Sequence, residues 1–228
     1  MRTSLLLLVG LLGAPAAAVA QETVDIGVIR NEDITVVQKM LYPKQERWEL
    51  GFHAGLMPFD AYLVTPNGQI SFNQHFTDHL SLSVVAGGGY GLKNATFKEL
   101  ESPAYGAAPY AYRYLGSVLA GVEWAPIYAK MNLNGARVVH FDVYLAGRGG
   151  VTIEESVIPL SEGAIAVGPT VSVGVGSRMW LAERTALKLE LRDDFQLQSR
   201  SVTESTHLKQ NANIILGVTM LSPPKERR

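Results

Sequence analysis

The sequence contains no cysteine among its 228 residues. Disulfides, thiolate metal sites and cysteine nucleophiles are therefore excluded, as is a cysteine-linked lipid anchor. An excess of one charge is also missing, because 20 basic residues are balanced by 21 acidic ones, giving a net charge of −1. Proteins that bind nucleic acid usually carry a basic patch, and we expect no nucleic-acid partner.

Long apolar runs are missing as well, apart from the N-terminus. No stretch after residue 20 approaches the roughly 18 consecutive apolar residues of a membrane helix. The first twenty residues have the parts of a cleavable signal peptide: basic Arg2, an apolar run over 5–12 and small residues at 18–20. We predict a mature chain beginning at Gln21. An exported chain without a membrane helix or lipid anchor is either soluble or a β-barrel.

What the sequence does contain is alternation with a period of two. Eight segments between residues 48 and 220 alternate between apolar residues and polar or small ones. Each has about nine residues or more, the length that crosses a bilayer as a tilted strand. The pattern predicts an all-β fold, a closed antiparallel eight-stranded transmembrane β-barrel over 46–221. A short periplasmic segment, 21–45, precedes it and a tail, 222–228, follows it.

The chemistry of the two faces indicates which one points outward. One face is aliphatic, and the other carries charges such as Lys188, Glu190 and Arg192, which a soluble barrel cannot bury without partners. Aromatic residues near the segment ends resemble the girdle of a membrane barrel; they are Trp48, Phe76, Tyr114, Trp124, Trp180 and Phe195. We therefore predict a lipid-facing apolar surface. The alternative is a soluble periplasmic ligand-binding barrel with its apolar face inside.

The connections are expected to alternate in length, as in bacterial outer-membrane barrels. Short links are predicted at 77–78 and 181–185, and longer ones at 59–68, 93–112, 152–163 and 197–210. The link 125–138 is too long for a tight turn, and we interpret it as an irregular periplasmic connection.

A luminal charge network is the main predicted site. An eight-stranded barrel is just wide enough for side chains to fill its interior, and buried charges must pair there. We expect these charges to plug the lumen; the alternative is a narrow polar pore. The predicted inward-facing members are Glu49, His53, Arg113, Glu123, His140, Asp142, Arg148, Arg178, Lys188, Glu190 and Arg192.

Enzymatic chemistry has little support in the sequence. His53 with a nearby serine imitates a hydrolase pair, but it is predicted to face the lumen. His75 and His79 have a helical zinc spacing but flank a strand turn. We expect no catalytic, cofactor or metal site. Contacts with protein partners are predicted on the leader segment and an outer loop, at Ile34, Val37, Leu41, Tyr105 and Tyr110.

Several stretches resemble the outer-membrane β-barrel family that is widespread in myxobacteria and related proteobacteria. They are Trp124-Ala125-Pro126-Ile127-Tyr128-Ala129-Lys130, His140-Phe141-Asp142, Gly149-Gly150-Val151, 168–178 and 189–193. The resemblance covers about 46–221 and implies a barrel in the bacterial outer membrane. The leader 25–43 is similar to envelope components of gliding-motility machinery. The resulting hypothesis is a non-enzymatic barrel that acts as a scaffold or docking component of an envelope complex; a small passive porin-like channel is the alternative.

Overall fold

The computed structural model describes residues 41–133, 137–158, 162–200 and 205–224. The predictions for the signal peptide, for most of the leader segment and for the end of the tail lie outside these residues.

Nine strands and one helix follow one another along the described residues. They are β1 (Trp48–Met57), β2 (Leu63–His75), β3 (Leu80–Gly89), β4 (Leu92–Lys93), α1 (Ala95–Glu101), β5 (Tyr112–Leu133), β6 (Arg137–Ser156), β7 (Ile165–Ala182), β8 (Thr185–Arg200) and β9 (Ser205–Leu221). All strands except β4 form one antiparallel ring. It closes because β1 pairs with both β2 and β9. The predicted closed eight-stranded barrel is confirmed.

The two ends of the barrel differ. The terminal end carries the start of β1, the end of β9 and the connections β2–β3, β5–β6 and β7–β8. The loop end carries the other connections, including β4 and α1, which pack beside β2. Asn94 caps α1, since its side-chain oxygen accepts a hydrogen bond from the Phe97 amide at 2.9 Å. The sequence had not predicted this helix.

The outer surface of the ring is apolar. Its residues are 39% to 61% exposed along the strands, as shown by Phe52, Ile70, Leu82, Val118, Val122, Leu145, Val171, Val173, Val175, Leu189, Leu191, Leu216 and Val218. Exposing so continuous an apolar band to water would be unfavourable, whereas contact with the hydrocarbon of a bilayer stabilises it. Trp48, Phe76 and Trp124 are exposed near the terminal end, where a girdle is expected. No helix in the described ranges is long and apolar enough to span a membrane.

Two of the predicted girdle aromatics lie inside the barrel. Tyr114 is 4% exposed, because a β-bulge at Leu115 shifts the β5–β6 register and turns Tyr114 inward. Trp180 is 5% exposed and stacks on Tyr42, with ring centroids 5.2 Å apart. Trp180 has the same strand parity as Arg178, so its alternation places it on the inner face.

The predicted connections were too long. Residues 126–133 continue β5 and pair with β6 down to Leu133 opposite Arg137, after a bulge between Trp124 and Ile127. The expected irregular link at 125–138 is therefore mostly a β-hairpin. At the loop end β6 runs to Ser156, and β8 and β9 pair as far as Arg200 opposite Ser205.

Candidate functional site

Among the described residues, twelve charged side chains pair with one another inside the barrel. Alternation places them there, because each lies on the polar face of its strand or, for Lys44, just before β1. Eleven are 5% exposed or less, and Lys209, near the loop end, is 17% exposed. Six are acidic and six basic, so their charges cancel: Glu49, Glu123, Asp142, Glu154, Glu190 and Asp194, with Lys44, Arg148, Arg178, Lys188, Arg192 and Lys209.

Glu123 of β5 lies at the centre of this network. Its Oε1 accepts hydrogen bonds from Arg148 and from Lys188, each at 2.7 Å, and Arg178 donates to its Oε2 at 3.2 Å. Lys188 belongs to β8, and two strands separate β5 from β8 around the ring. The ion pair therefore crosses the bore. Charges buried this deeply are tolerated because each has a partner and hydrogen bonds.

Arg178 connects the network to the terminal end. Its guanidinium lies 3.2 Å from Glu49 and 3.3 Å from Asp142. Lys44 approaches from the segment before β1 and donates to Asp142 at 2.6 Å. Burial lowers the pKa of Lys44, and the positive charge of Arg178 lowers it further, while Asp142 opposes both effects. The Lys44 ammonium and the Tyr42 ring, which contacts Trp180 and His140, therefore lie inside the barrel near its terminal end.

Glu190 forms the next layer. It accepts a hydrogen bond from Arg148 at 2.7 Å and another from the Tyr144 hydroxyl at 2.7 Å. The Tyr144 ring lies over Gly176, where a Cβ atom would collide with it. The Lys188 ammonium is 4.5 Å from the centroid of that ring, within cation–π range. A large aromatic side chain therefore occupies the bore and also holds a carboxylate and a cation.

His53 lies in a confined part of the interior. Its Nε2 is 2.7 Å from the Ser71 hydroxyl, the spacing of a serine–histidine pair. Its ring lies over Gly51 and Gly217, where any Cβ atom would collide with it. No acid orients the ring, since Nδ1 has no hydrogen-bond partner among the described residues. The adjoining void of about 10 Å³ has room for one water molecule and is too small for a substrate.

The loop-end half of the interior contains members that the sequence did not predict. Arg192 lies 3.3 Å from Asp194 and donates to Gln69 across the bore at 3.0 Å. Glu154 pairs with Lys209 at 2.7 Å. Asp194 shares the parity of Arg192 and was detectable from alternation. Glu154 and Lys209 lie in stretches predicted to be loops.

Besides His53, two predicted members of the network, Arg113 and His140, do not pair with its charges. The Leu115 bulge turns Arg113 off the inner face; it contacts Glu155 at 3.4 Å, and its guanidinium lies 4.1 Å from the Tyr90 ring centroid. His140 does point inward, but its partners are aromatic. Its Nδ1 is 2.9 Å from the Tyr128 hydroxyl. The prediction for Arg113 is wrong, and His140 belongs to the aromatic layer at the terminal end.

The histidines at helical zinc spacing have separate roles. His75 contacts Glu49 at 3.0 Å, whereas His79 contacts the Ala125 carbonyl at 2.9 Å. Within the described ranges no three metal-ligating side chains form a cluster.

The predicted partner contacts that the structure describes are on the surface. Leu41 is 56% exposed near the terminal end, and Tyr105 and Tyr110 are 64% and 53% exposed in the β3–β5 connection. Ile34 and Val37 lie outside the described residues.

Comparisons with known proteins give fold-level similarity only. No protein-family model and no curated protein match the sequence. Among solved structures, Neisserial surface protein A is 10% identical, with 76% of this chain and 95% of that one covered and a TM-score of 0.48. OprG from Pseudomonas aeruginosa is also 10% identical; the match covers 82% of this chain and 100% of OprG, with a TM-score of 0.44. Ail from Yersinia pestis is 11% identical; the match covers 77% of this chain and 97% of Ail, with a TM-score of 0.40.

Proposed function

We propose that this chain is a bacterial outer-membrane barrel that acts, without enzymatic activity, as a scaffold or docking component of an envelope complex. The observation that supports this role is the filled interior. Ion pairs such as Lys188–Glu123 cross the bore, and Tyr144 and Arg178 are almost fully buried within it. Because these side chains bridge the bore, we expect no open path for solutes, and the barrel then offers its two ends and its lipid-facing surface to other molecules.

Placement in the outer membrane rests on the apolar exterior, the aromatic residues at the terminal end and the predicted signal peptide. The expected surroundings are outer-membrane lipid and envelope proteins. Participation in gliding motility is a narrower form of the proposal. It depends only on the resemblance of the leader segment 25–43, most of which lies outside the described residues.

Planar-bilayer recordings on the purified, folded protein test the closed interior. We expect no steady ion conductance from the wild type. Glu190→Ala serves as the matched variant, because it removes one of the two acidic partners of Arg148 and the acceptor of the Tyr144 hydroxyl; brief, flickering openings are expected from it. A stable open conductance of the wild-type protein would refute the scaffold role and favour a small passive channel.

Site-specific photo-crosslinking in native cells tests docking. A crosslinker replaces Tyr105 or Leu41 at the two ends, and Val173 on the lipid-facing surface is the control position. We expect a discrete protein adduct at one or both ends and none at Val173. If all three positions give the same adducts, or none gives any, the barrel is not a docking component.

A further inference from the structure

A cleft of about 210 Å³ opens at the loop end, between the β1–β2 connection, the start of β5 and the start of β9. Aromatic rings form much of its wall, from Phe59, Tyr62, Tyr110 and Tyr112. Phe59 is 74% exposed and Tyr110 is 53% exposed, so two large rings remain uncovered beside an open cleft. The volume is below the roughly 300 Å³ of pockets for drug-sized ligands. It suits a ligand of a few heavy atoms.

The cation in the cleft already has acidic partners. Lys209 lies 2.7 Å from Glu154 and 3.5 Å from Asp60, and it donates to the Tyr112 carbonyl at 3.0 Å. Two of its three N–H donors are therefore in hydrogen bonds, and two carboxylates surround the ammonium. These carboxylates would repel an anion, which argues against a phosphate, sulfate or carboxylate ligand.

Asp60 has acceptor capacity to spare. Its Oδ1 accepts hydrogen bonds from the amides of Tyr62 at 2.9 Å and Leu63 at 3.2 Å, which fixes the carboxylate in a turn. Among the described residues its Oδ2 has only the 3.5 Å contact with Lys209, the longest that this ammonium makes. Glu154 does not line the cleft, but it pairs with Lys209 at 2.7 Å and offsets the positive charge of that residue. The Asp60 carboxylate is therefore the charge on the cleft wall that remains available to a ligand.

We propose that this cleft binds a small organic cation, a quaternary ammonium or a protonated amine, between the aromatic rings of Phe59, Tyr62 and Tyr110 and the Asp60 carboxylate. Aromatic faces attract cations through their quadrupole, and groups of aromatic rings are the usual protein receptor for quaternary ammonium. The carboxylate supplies the opposite charge. This binding goes beyond the scaffold role and does not depend on it, since it needs no protein partner and no open bore.

Isothermal titration calorimetry on the folded barrel in detergent tests the site with two probes, tetramethylammonium and choline. The neutral isostere of choline, 3,3-dimethylbutan-1-ol, separates charge from shape. We expect both cations to bind and the isostere to bind at least roughly tenfold more weakly, because it lacks the charge that the rings and Asp60 recognise. Equal binding of choline and the isostere, or no binding of either cation, would overturn the proposal.

Variants assign the binding to this cleft. Phe59→Ala removes a mostly exposed ring, so the fold should survive, and binding should weaken by roughly 2- to 30-fold. Asp60→Asn keeps the turn acceptor and removes the charge, and it should also weaken binding. Tyr105→Ala is the matched control: it removes an exposed ring in the same region that does not line the cleft. If Tyr105→Ala weakens binding as much as Phe59→Ala, the cations bind elsewhere.

Discussion

Replacing Glu123 by glutamine probes the network at its centre, because the change keeps the shape of the side chain and removes its charge. Arg178 would retain Glu49 at 3.2 Å and Asp142 at 3.3 Å, and Arg148 would retain Glu190 at 2.7 Å. Lys188 would be left with Glu190 at 4.0 Å as its nearest acidic partner. The main consequence is therefore a buried ammonium that has lost its short ion pair.

The expected cost follows from burial. Removing one partner of a buried ion pair typically costs about 3–5 kcal/mol. Since Arg148 and Arg178 keep other acids, we place Glu123→Gln at the lower end, about 3 kcal/mol. Glu101→Gln is the matched control. Glu101 pairs with Lys93 at 2.9 Å, but their side chains are 52% and 33% exposed. Exposed pairs contribute about 0–1 kcal/mol, so the control should lose little stability.

Urea titrations in lipid vesicles, followed by tryptophan fluorescence and by the mobility of unboiled protein on gels, give the free energy of unfolding of each variant. The double variant Glu123→Gln with Lys188→Met removes the stranded ammonium, and it should recover part of the loss. Equal stability of Glu123→Gln and Glu101→Gln would refute the reasoning. The reasoning would also be refuted if the double variant lost more free energy of unfolding than the two single variants together. The two charges would then not be coupled as the structure places them.

The outer surface and the N-terminus give two further predictions. Leu189 is 48% exposed and lies in the half of β8 that follows the short β7–β8 turn, where the strand crosses the membrane. Leu208 is 67% exposed and lies near the loop end of β9. Leu189→Lys should cost about 2–4 kcal/mol in vesicles and Leu208→Lys about 0–1 kcal/mol, because the cost of a charge depends on its depth in the bilayer; equal costs in the same urea titration would contradict the lipid-facing assignment. Mass spectrometry of protein from the outer-membrane fraction should give a chain that starts at Gln21, and an intact Met1 would show that the signal peptide is retained.

Alternation was sufficient to predict the fold, because it is a local property that a bilayer enforces along each strand. It underestimated how far the strands extend. In β6 the residues Glu154 and Glu155 follow one another, and in β8 the stretch 196–200 is mostly polar on both faces. Outside hydrocarbon the outer face no longer has to be apolar, so the strand continues while its apolar signature stops. The loop-end extensions were therefore interpreted as loops.

The residues of the inner face could be predicted wherever the alternation along a strand is unbroken. The prediction failed where a bulge interrupts it. One extra residue at the Leu115 bulge moved Arg113 out and Tyr114 in, since a one-residue slip exchanges the two faces of a strand. Lys44 was not predictable from alternation, because it precedes β1 and reaches Asp142 from a non-strand segment. Which acid pairs with which base depends on the stagger of the strands around the ring.

The lengths of the strands suggest where recognition takes place. About 9–11 residues suffice for a tilted strand to cross the hydrocarbon, whereas β6 has 20 and β9 has 17. The short β7–β8 turn keeps the membrane-crossing section of β8 near the terminal end, so much of the excess length at the loop end projects beyond the bilayer as paired strands. The Lys209–Glu154 ion pair joins β9 to β6 there. This connection stiffens the projecting strands, as a preorganised binding surface requires. The loop end is therefore the part of the molecule best suited to hold a ligand or partner in a fixed geometry.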